Sequence, residues 1–346
     1  MSIDLEGGLM GNESELEAIC VELRRLLDRA VQRSLSGGRT AIMLSGGLDT
    51  SIIALIAFRH ARVDGYTVAL RGAPAPDIGF SSLMANVLGM KHKVHYLDET
   101  EVLELIPAVV KTLCSFDPMQ IRNSLAVYAG MKAAKEDGVE VAITGDGADE
   151  LMAGYSFAFS LGKEALDLEL RKLWSVMAFS SIPLAESLGM AARLPFMDPD
   201  FKHYAMAMDS KFKVGSEGGQ TYGKWVLRKA YEGLLPREIT WRTKTPIEYG
   251  SGTTTFPKLF CSRINDAEFA EKKEFCLRED RVTIRDKEHL AYYEAFRSAF
   301  GPPPLPHPHP YPHPPRPSAT GKTCPQCNSG VPQGSTFCRT CGAYPI

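Results

Sequence analysis

The sequence predicts an α/β protein: a doubly wound parallel sheet with a helical extension, followed by a small separate unit at the C-terminus. Three observations carry that expectation. Short apolar runs alternate with helical stretches between Thr40 and Thr144, two of those runs end in glycine-rich turns, and the composition changes abruptly near residue 301. A chain of 346 residues with 44% apolar and 23% charged residues can bury a sizeable core, and length alone suggests about two domains. The net charge of −2 leaves no chain-wide basic field to attract nucleic acid or an anionic membrane.

The elements follow in order. Ser14 to Ser34 sets Leu16, Ile19, Leu23, Leu26, Leu27 and Val31 at helical spacing, and Ser14 with Glu17 has the form of a capping box. Thr40 to Leu44 reads as a buried strand ended by Ser45-Gly46-Gly47, and Ser51 to Arg62 as the next helix. Strand, helix and strand recur at Gly65 to Ala69, Ser81 to Leu88 and Lys93 to Tyr96. A helix over Leu125 to Lys135 then leads into the strand Val139 to Thr144. Beyond about residue 155 the pattern is mainly helical, with Lys163 to Ala178 and Tyr222 to Glu232 as its clearest stretches. No window approaches 18 uncharged apolar residues and the first residues are acidic, so neither a membrane span nor a signal peptide is expected.

Two turns carry chemistry. In Ser45 to Ser51, glycines let the backbone approach an anion closely, hydroxyls add donors, and the following helix favours negative charge at its start, which makes a phosphate cradle. The lysine-containing triphosphate loop, G-x-x-x-x-G-K-[ST], is absent, and a Gly-Gly turn with no ligand is the plain alternative. Gly145 to Glu150 places Asp146, Asp149 and Glu150 on one turn, where a divalent cation would relieve their repulsion; a simple helix cap would use the same residues.

With these residues in view the chain resembles the synthetase domain of the asparagine synthetases, within the PP-loop ATP pyrophosphatases, whose fold is adenine nucleotide α-hydrolase-like. Ser45 to Ser51 matches the family's SGGLDS, and Gly145 to Tyr155 its GEGSDE..GGY. Further blocks keep family order: Pro74 to Asp77, Leu88-Gly89 with His92, Asp117, Ile121-Arg122, Arg193 to Asp198, Lys224 with Leu227-Arg228, and Trp241 to Lys244. The resemblance implies that ATP adenylates a carboxylate, releases pyrophosphate, and leaves an acyl-adenylate for a nitrogen nucleophile. It implies that Leu44, Ser45, Gly46, Gly47, Asp49, Thr50, Ser51 and Gly145 hold ATP and pyrophosphate, with Ala69 and Leu70 helping to line the adenine pocket. Asp49 and Asp149 would serve Mg²⁺, Arg122 and Lys244 would neutralise the leaving pyrophosphate, and Asp146 would be the base.

Three departures from the family pattern shape the expectation. Met1-Ser2 leads almost at once into the first helix, without the glutaminase domain and its cysteine, so free ammonia, an amine or a separate glutaminase is expected to supply nitrogen. Asp146 stands where the family has a glutamate. Gly189 to Arg193 lacks the acid of the family's GVEAR, and Met177, Ser180, Ile182 and Pro183 replace polar residues, so the acceptor side is altered and the sequence leaves the acceptor open between aspartate and a different carboxylate. A PP-loop enzyme modifying tRNA or a protein is the alternative.

The C-terminal unit is set off by ten prolines among the sixteen residues Pro302 to Pro317, interleaved with His307, His309 and His313, which reads as a spacer over 301–322 between a body at 1–300 and a tail at 323–346. Cys324, Cys327, Cys338 and Cys341 form two C-x-x-C knuckles with the spacing of a structural zinc ribbon. That usage implies a reducing compartment, hence the cytoplasm. From Gly301 to Ile346 the chain carries Arg316, Lys322 and Arg339 with no acid, so contact with a protein or RNA is the expectation attached to the ribbon.

Overall fold

The computed structural model describes residues 6–304, 321–332 and 334–346. Helix α1 (Glu6–Ser34) leads into alternating elements: β1 (Thr40–Met43), α2 (Leu48–His60), β2 (Asp64–Leu70), α3 (Asp77–Leu88), β3 (His92–Leu97), α4 (Glu99–Leu113), α5 (Pro118–Glu136) and β4 (Val141–Ile143). After α6 (Ala148–Leu151), α7 (Lys163–Ser175) and α8 (Ser181–Ser187), strand β5 (Ala191–Arg193) completes one parallel sheet in the order β3-β2-β1-β4-β5. Parallel strands covered on both faces need apolar residues throughout rather than alternation. Strands β1 and β4 supply them. Ile42, Val141 and Ile143 cluster with Leu23 and Leu27 of α1 and with Ile52 and Ile56 of α2. Ala41 and Ala142 cluster instead with Val109 and Leu113 of α4 and with Ile121 and Leu125 of α5.

The helical extension follows: α9 (Pro199–Ala207), the hairpin β6 (Val214–Glu217) and β7 (Gln220–Gly223), α10 (Trp225–Tyr231), α11 (Arg237–Thr240), α12 (Ile247–Ser251), α13 (Phe256–Arg263), α14 (Asp266–Phe275) and α15 (Lys287–Phe300). It folds back onto the sheet layers, α10 against α1 and α15 against α4. No helix among the described residues is long and apolar enough to cross a membrane.

Several elements depart from the sequence expectation. Helix α4 falls outside the sequence expectation and tolerates Pro107 in its middle; the proline is exposed there, so the missing hydrogen bond falls on the solvent side. Helix α5 begins seven residues before Leu125, where Asp117 caps it by accepting from Met119 N–H at 3.1 Å and Pro118 occupies the first turn. Tyr222 lies in β7 rather than in a helix. The short edge strand β5 is only half-buried and has no run long enough to announce it.

The tail holds the short antiparallel pair β8 (Lys322–Thr323) and β9 (Gly330–Val331). It is seated on the body: Phe116 N–H donates to Thr340 C=O at 2.8 Å, Thr283 N–H to Gln326 C=O at 2.8 Å, and Arg285 Nη2 to Cys341 C=O at 2.7 Å. Most of the proline-rich spacer, 305–320 with its three histidines, lies outside the described residues.

Candidate active site

In an open parallel sheet the crevice forms where neighbouring strands send their connections in opposite directions, at the carboxyl ends of those strands. Here that point lies between β1 and β4, paired in register from Thr40↔Val141 to Ile42↔Ile143. Both glycine-rich turns therefore leave the sheet side by side. Gly145 packs closely on the other turn, since a Cβ would stand 3.0 Å from Asp49 Cβ. Gly46, at φ +67°, seats its turn on α3: a Cβ there would meet Ser81 N at 2.3 Å. Within the turn Ser45 Oγ and Thr50 Oγ1 lie 3.1 Å apart, and Gly47 N–H donates to Ser45 Oγ at 3.2 Å. Gly47 gives α2 no side-chain cap, leaving first-turn N–H groups for an anion.

The two turns are joined by a charge cluster. Lys224 Nζ lies 2.5 Å from Asp49 Oδ2 and 2.8 Å from Asp149 Oδ1, and Lys244 Nζ lies 2.6 Å from Asp149 Oδ2. Two carboxylates thus face two ammonium groups, with a formal charge of zero. Burial pushes the Asp49 carboxyl up, outweighing Lys224. Burial pushes Asp149 up as well, but Lys224 and Lys244 together hold it well below the usual carboxylate range. Asp49 Oδ1 is buried and has no hydrogen-bond partner. A buried, unpartnered carboxylate oxygen beside a second carboxylate is a hard-oxygen donor set of the kind Mg²⁺ takes, so the residues fit that ion.

A cavity of about 770 Å³ opens over this cluster. Leu44, Ser45, Gly47, Asp49 and Thr50 line it from one turn, and Gly145, Asp146 and Asp149 from the other, with Lys244 entering from the extension. Asp146 Oδ2 accepts from Thr144 Oγ1 at 3.0 Å and from Ser181 Oγ; burial raises its pKa beyond what these bonds offset. Of the other predicted residues, Gly46 packs on α3, Ser51 is fully buried with its Oγ unpartnered, and Ala69 and Leu70 belong to the core. Thr67 and Val68 form the cavity wall from β2 instead.

Arg122 is not brought to the cavity. Its guanidinium grips Glu288 of α15 through Nε and Nη2, at 3.0 and 2.5 Å, and Tyr292 Oη donates to the same carboxylate at 3.0 Å. The described geometry makes this a clasp between α5 and α15, since the Nε–Nη2 edge that would grip a phosphate is spent on Glu288.

Sequence reasoning gave no site role to Lys224, Asp77, Arg228 or Arg242, which it met only inside matching blocks. Arg242 pairs with Asp77 at 2.6 Å and stacks 4.0 Å from the Phe80 ring centroid. Buried Arg228 donates to Gly223, Thr240 and Arg242 carbonyls at 3.0, 2.6 and 3.0 Å, fixing the segment that delivers Lys244. A lysine or arginine inside an apolar stretch, as in Gly223 to Leu227, was the available signal.

In the tail, the sulfurs of Cys324, Cys327, Cys338 and Cys341 lie within 4.8 Å of one another. Cys324 and Cys341 are 3.8 Å apart, Cys327 and Cys338 3.7 Å. A tetrahedron with zinc–sulfur bonds of about 2.3 Å has edges of about 3.8 Å, so this set fits a structural zinc ion.

The sheet order and the paired turns at its switch point are those of a PP-loop type of α/β fold. More particularly, the chain belongs to the asparagine synthase family: the model described as "Asparagine synthase" matches residues 22–181 and 183–299. Among curated relatives, a probable glutamine-hydrolyzing asparagine synthetase of Dictyostelium discoideum is 27% identical over 330 residues, covering 86% of this chain and 58% of its own length. The glutamine-hydrolyzing asparagine synthetase B of Escherichia coli K12 is 28% identical over 304 residues, with 81% and 53% covered. The chain thus spans a little over half the length of these relatives. Among solved structures, the NMN synthetase of Francisella tularensis aligns with a TM-score of 0.39 at 13% identity, covering 82% of this chain and 94% of that one.

Proposed function

We propose that this chain is an ATP-dependent, AMP- and pyrophosphate-forming amide ligase that adenylates a small carboxylic acid for attack by ammonia or an amine. The observation that carries this reading is the Asp49–Lys224–Asp149–Lys244 cluster built around buried Lys224, set between the anion-accepting turn Ser45–Ser51 and the acidic turn Gly145–Glu150 and retaining one unpartnered carboxylate oxygen. The acceptor's carboxylate oxygen attacks the α-phosphorus of ATP, the bond from that phosphorus to the bridging oxygen breaks, and pyrophosphate leaves into the Ser45–Ser51 turn. Lys224 and Lys244 offset the charge that develops on it. The nitrogen then attacks the acyl carbon, its proton passes to a carboxylate, and AMP departs. Asp146 suits the base role, because its raised pKa makes it a stronger base than an exposed aspartate.

Asp49 and Asp149 would hold Mg²⁺, which when bound supplies charge neutralisation for the phosphates. The four cysteines would hold structural zinc, whose binding stabilises the folded tail and requires thiols kept reduced, as in a cytoplasm. Nitrogen would come from outside this domain, as free ammonia, an amine or the product of a separate glutaminase. The test is exchange of labelled pyrophosphate into ATP with Mg²⁺ and a panel of small acids. Acid-dependent exchange that vanishes in Asp49→Ala and Lys244→Ala supports the reading. No exchange with any small acid removes it and favours a tRNA or protein substrate.

A further inference from the structure

The zinc ribbon forms part of the wall of the cavity. Its second knuckle is tied to the segment between α4 and α5: Ser115 Oγ donates to Arg339 C=O at 2.9 Å, alongside the Phe116–Thr340 bond. Gly342 sits so close to Asp117 that a Cβ would lie 2.2 Å from its Oδ1. This seating delivers Phe337 and Arg339 to the cavity lining. Arg339 Nη2 donates to Val176 C=O at 2.6 Å, at the start of the segment whose Ser181 holds Asp146.

The charges around the cavity single out this arginine. Lys224, Lys244 and Arg242 are paired with Asp49, Asp149 and Asp77. Arg228 is spent on three backbone carbonyls. Arg339 forms no ion pair among the described residues, and its one recorded side-chain bond is to a carbonyl. On the α5 wall of the same cavity, Asn123 Oδ1 is buried and has no partner. A half-buried guanidinium without a carboxylate and an orphaned amide oxygen facing one space are complementary to a ligand carrying an anion and a hydrogen-bond donor.

We propose that Arg339, supplied by the zinc ribbon, is a specificity-determining residue that selects acceptor acids bearing a second anionic group. This rests on the adenylating reading above, in which the first carboxylate is the one activated. The ribbon is then part of the active site, and its metal keeps a substrate-binding side chain in place.

The experiment uses the full zinc-loaded chain and two probes of equal length, succinate and butyrate, titrated by calorimetry with and without the α,β-methylene analogue of ATP and Mg²⁺. Wild type is expected to bind succinate at least tenfold more tightly than butyrate. Arg339→Ala should bring the two within about twofold while leaving analogue affinity unchanged. Arg339→Gln keeps a donor for Val176 C=O and most of the bulk, and should lose the preference equally; Arg339→Lys should restore part of it. One zinc per chain in each variant shows that the ribbon remains folded. A preference that survives in Arg339→Gln, or its absence from wild type in both conditions, overturns the proposal. An analogue that fails to bind wild type counts against the adenylating function, while the succinate preference without nucleotide still decides the role of Arg339.

Discussion

Replacing Lys224 by Met keeps the length of the side chain and removes its charge from between Asp49 and Asp149, at 2.5 and 2.8 Å. Lys244 still faces Asp149, so Asp49 becomes the uncompensated group. Breaking a buried pair from one side costs about 3–5 kcal/mol. A second bound comes from titration, because the variant can escape by protonating Asp49. With an unfolded pKa of about 3.9, that escape costs about 4 kcal/mol at pH 7 and about 1.5 kcal/mol at pH 5. The variant should therefore lose about 3–4 kcal/mol at pH 7 and about 1.5 at pH 5. The sign follows from proton counting: the folded variant holds a proton that the unfolded chain has released, so its stability falls as pH rises from 4 to 7. Urea unfolding can be followed by tryptophan fluorescence, and Asp49→Asn added to Lys224→Met should recover most of the loss. A cost below about 1 kcal/mol at pH 7, or one that does not change with pH, would refute the reasoning.

Three further outcomes follow from the same structure. Arg122→Met should destabilise by about 3 kcal/mol by stranding buried Glu288, and Arg122→Met with Glu288→Gln should regain most of it in the same urea assay. Lys213, fully buried with Nζ donating to Ala205 C=O at 2.7 Å, has its pKa pushed down by burial to about 8. Between pH 8 and about 10.4 the unfolded chain holds a proton that the folded chain has lost, so this residue makes stability rise with pH there. Lys213→Met should stabilise by about 1–2 kcal/mol at pH 7, with the advantage gone at pH 10; urea unfolding at both values checks it. Stripping zinc with a chelator should unseat the tail and speed hydrogen exchange at Phe116 N–H, which donates to Thr340, while exchange in β1 and β4 stays slow.

What could be read from the sequence was what lies close along the chain. The turn Ser45 to Ser51 and the turn Gly145 to Glu150 each hold their glycines, hydroxyls and acids within one short segment, so their chemistry is visible locally. The C-x-x-C knuckles are local in the same way. The partners that complete the site are distant: Lys224 reaches Asp49 across 175 positions, and Glu288 meets Arg122 across 166. No spacing rule signals such pairs, so Lys224 carries no role in the sequence reading, and the place of Arg122 at the pyrophosphate rests on the family resemblance alone. The docking of the ribbon was hidden for another reason. It rests largely on backbone carbonyls of Arg339, Thr340, Cys341 and Gln326, which leave no mark in side-chain pattern.

The proposed reaction cleaves ATP between its α- and β-phosphates to activate a carboxylate. The measurement that tests it most directly is a product count from Mg-ATP, ammonium and the acid that supports exchange. AMP, pyrophosphate and amide should form in equal amounts, all lost in Asp49→Ala. ADP and orthophosphate formed in step with the amide, or amide formation that survives Asp49→Ala, would contradict it.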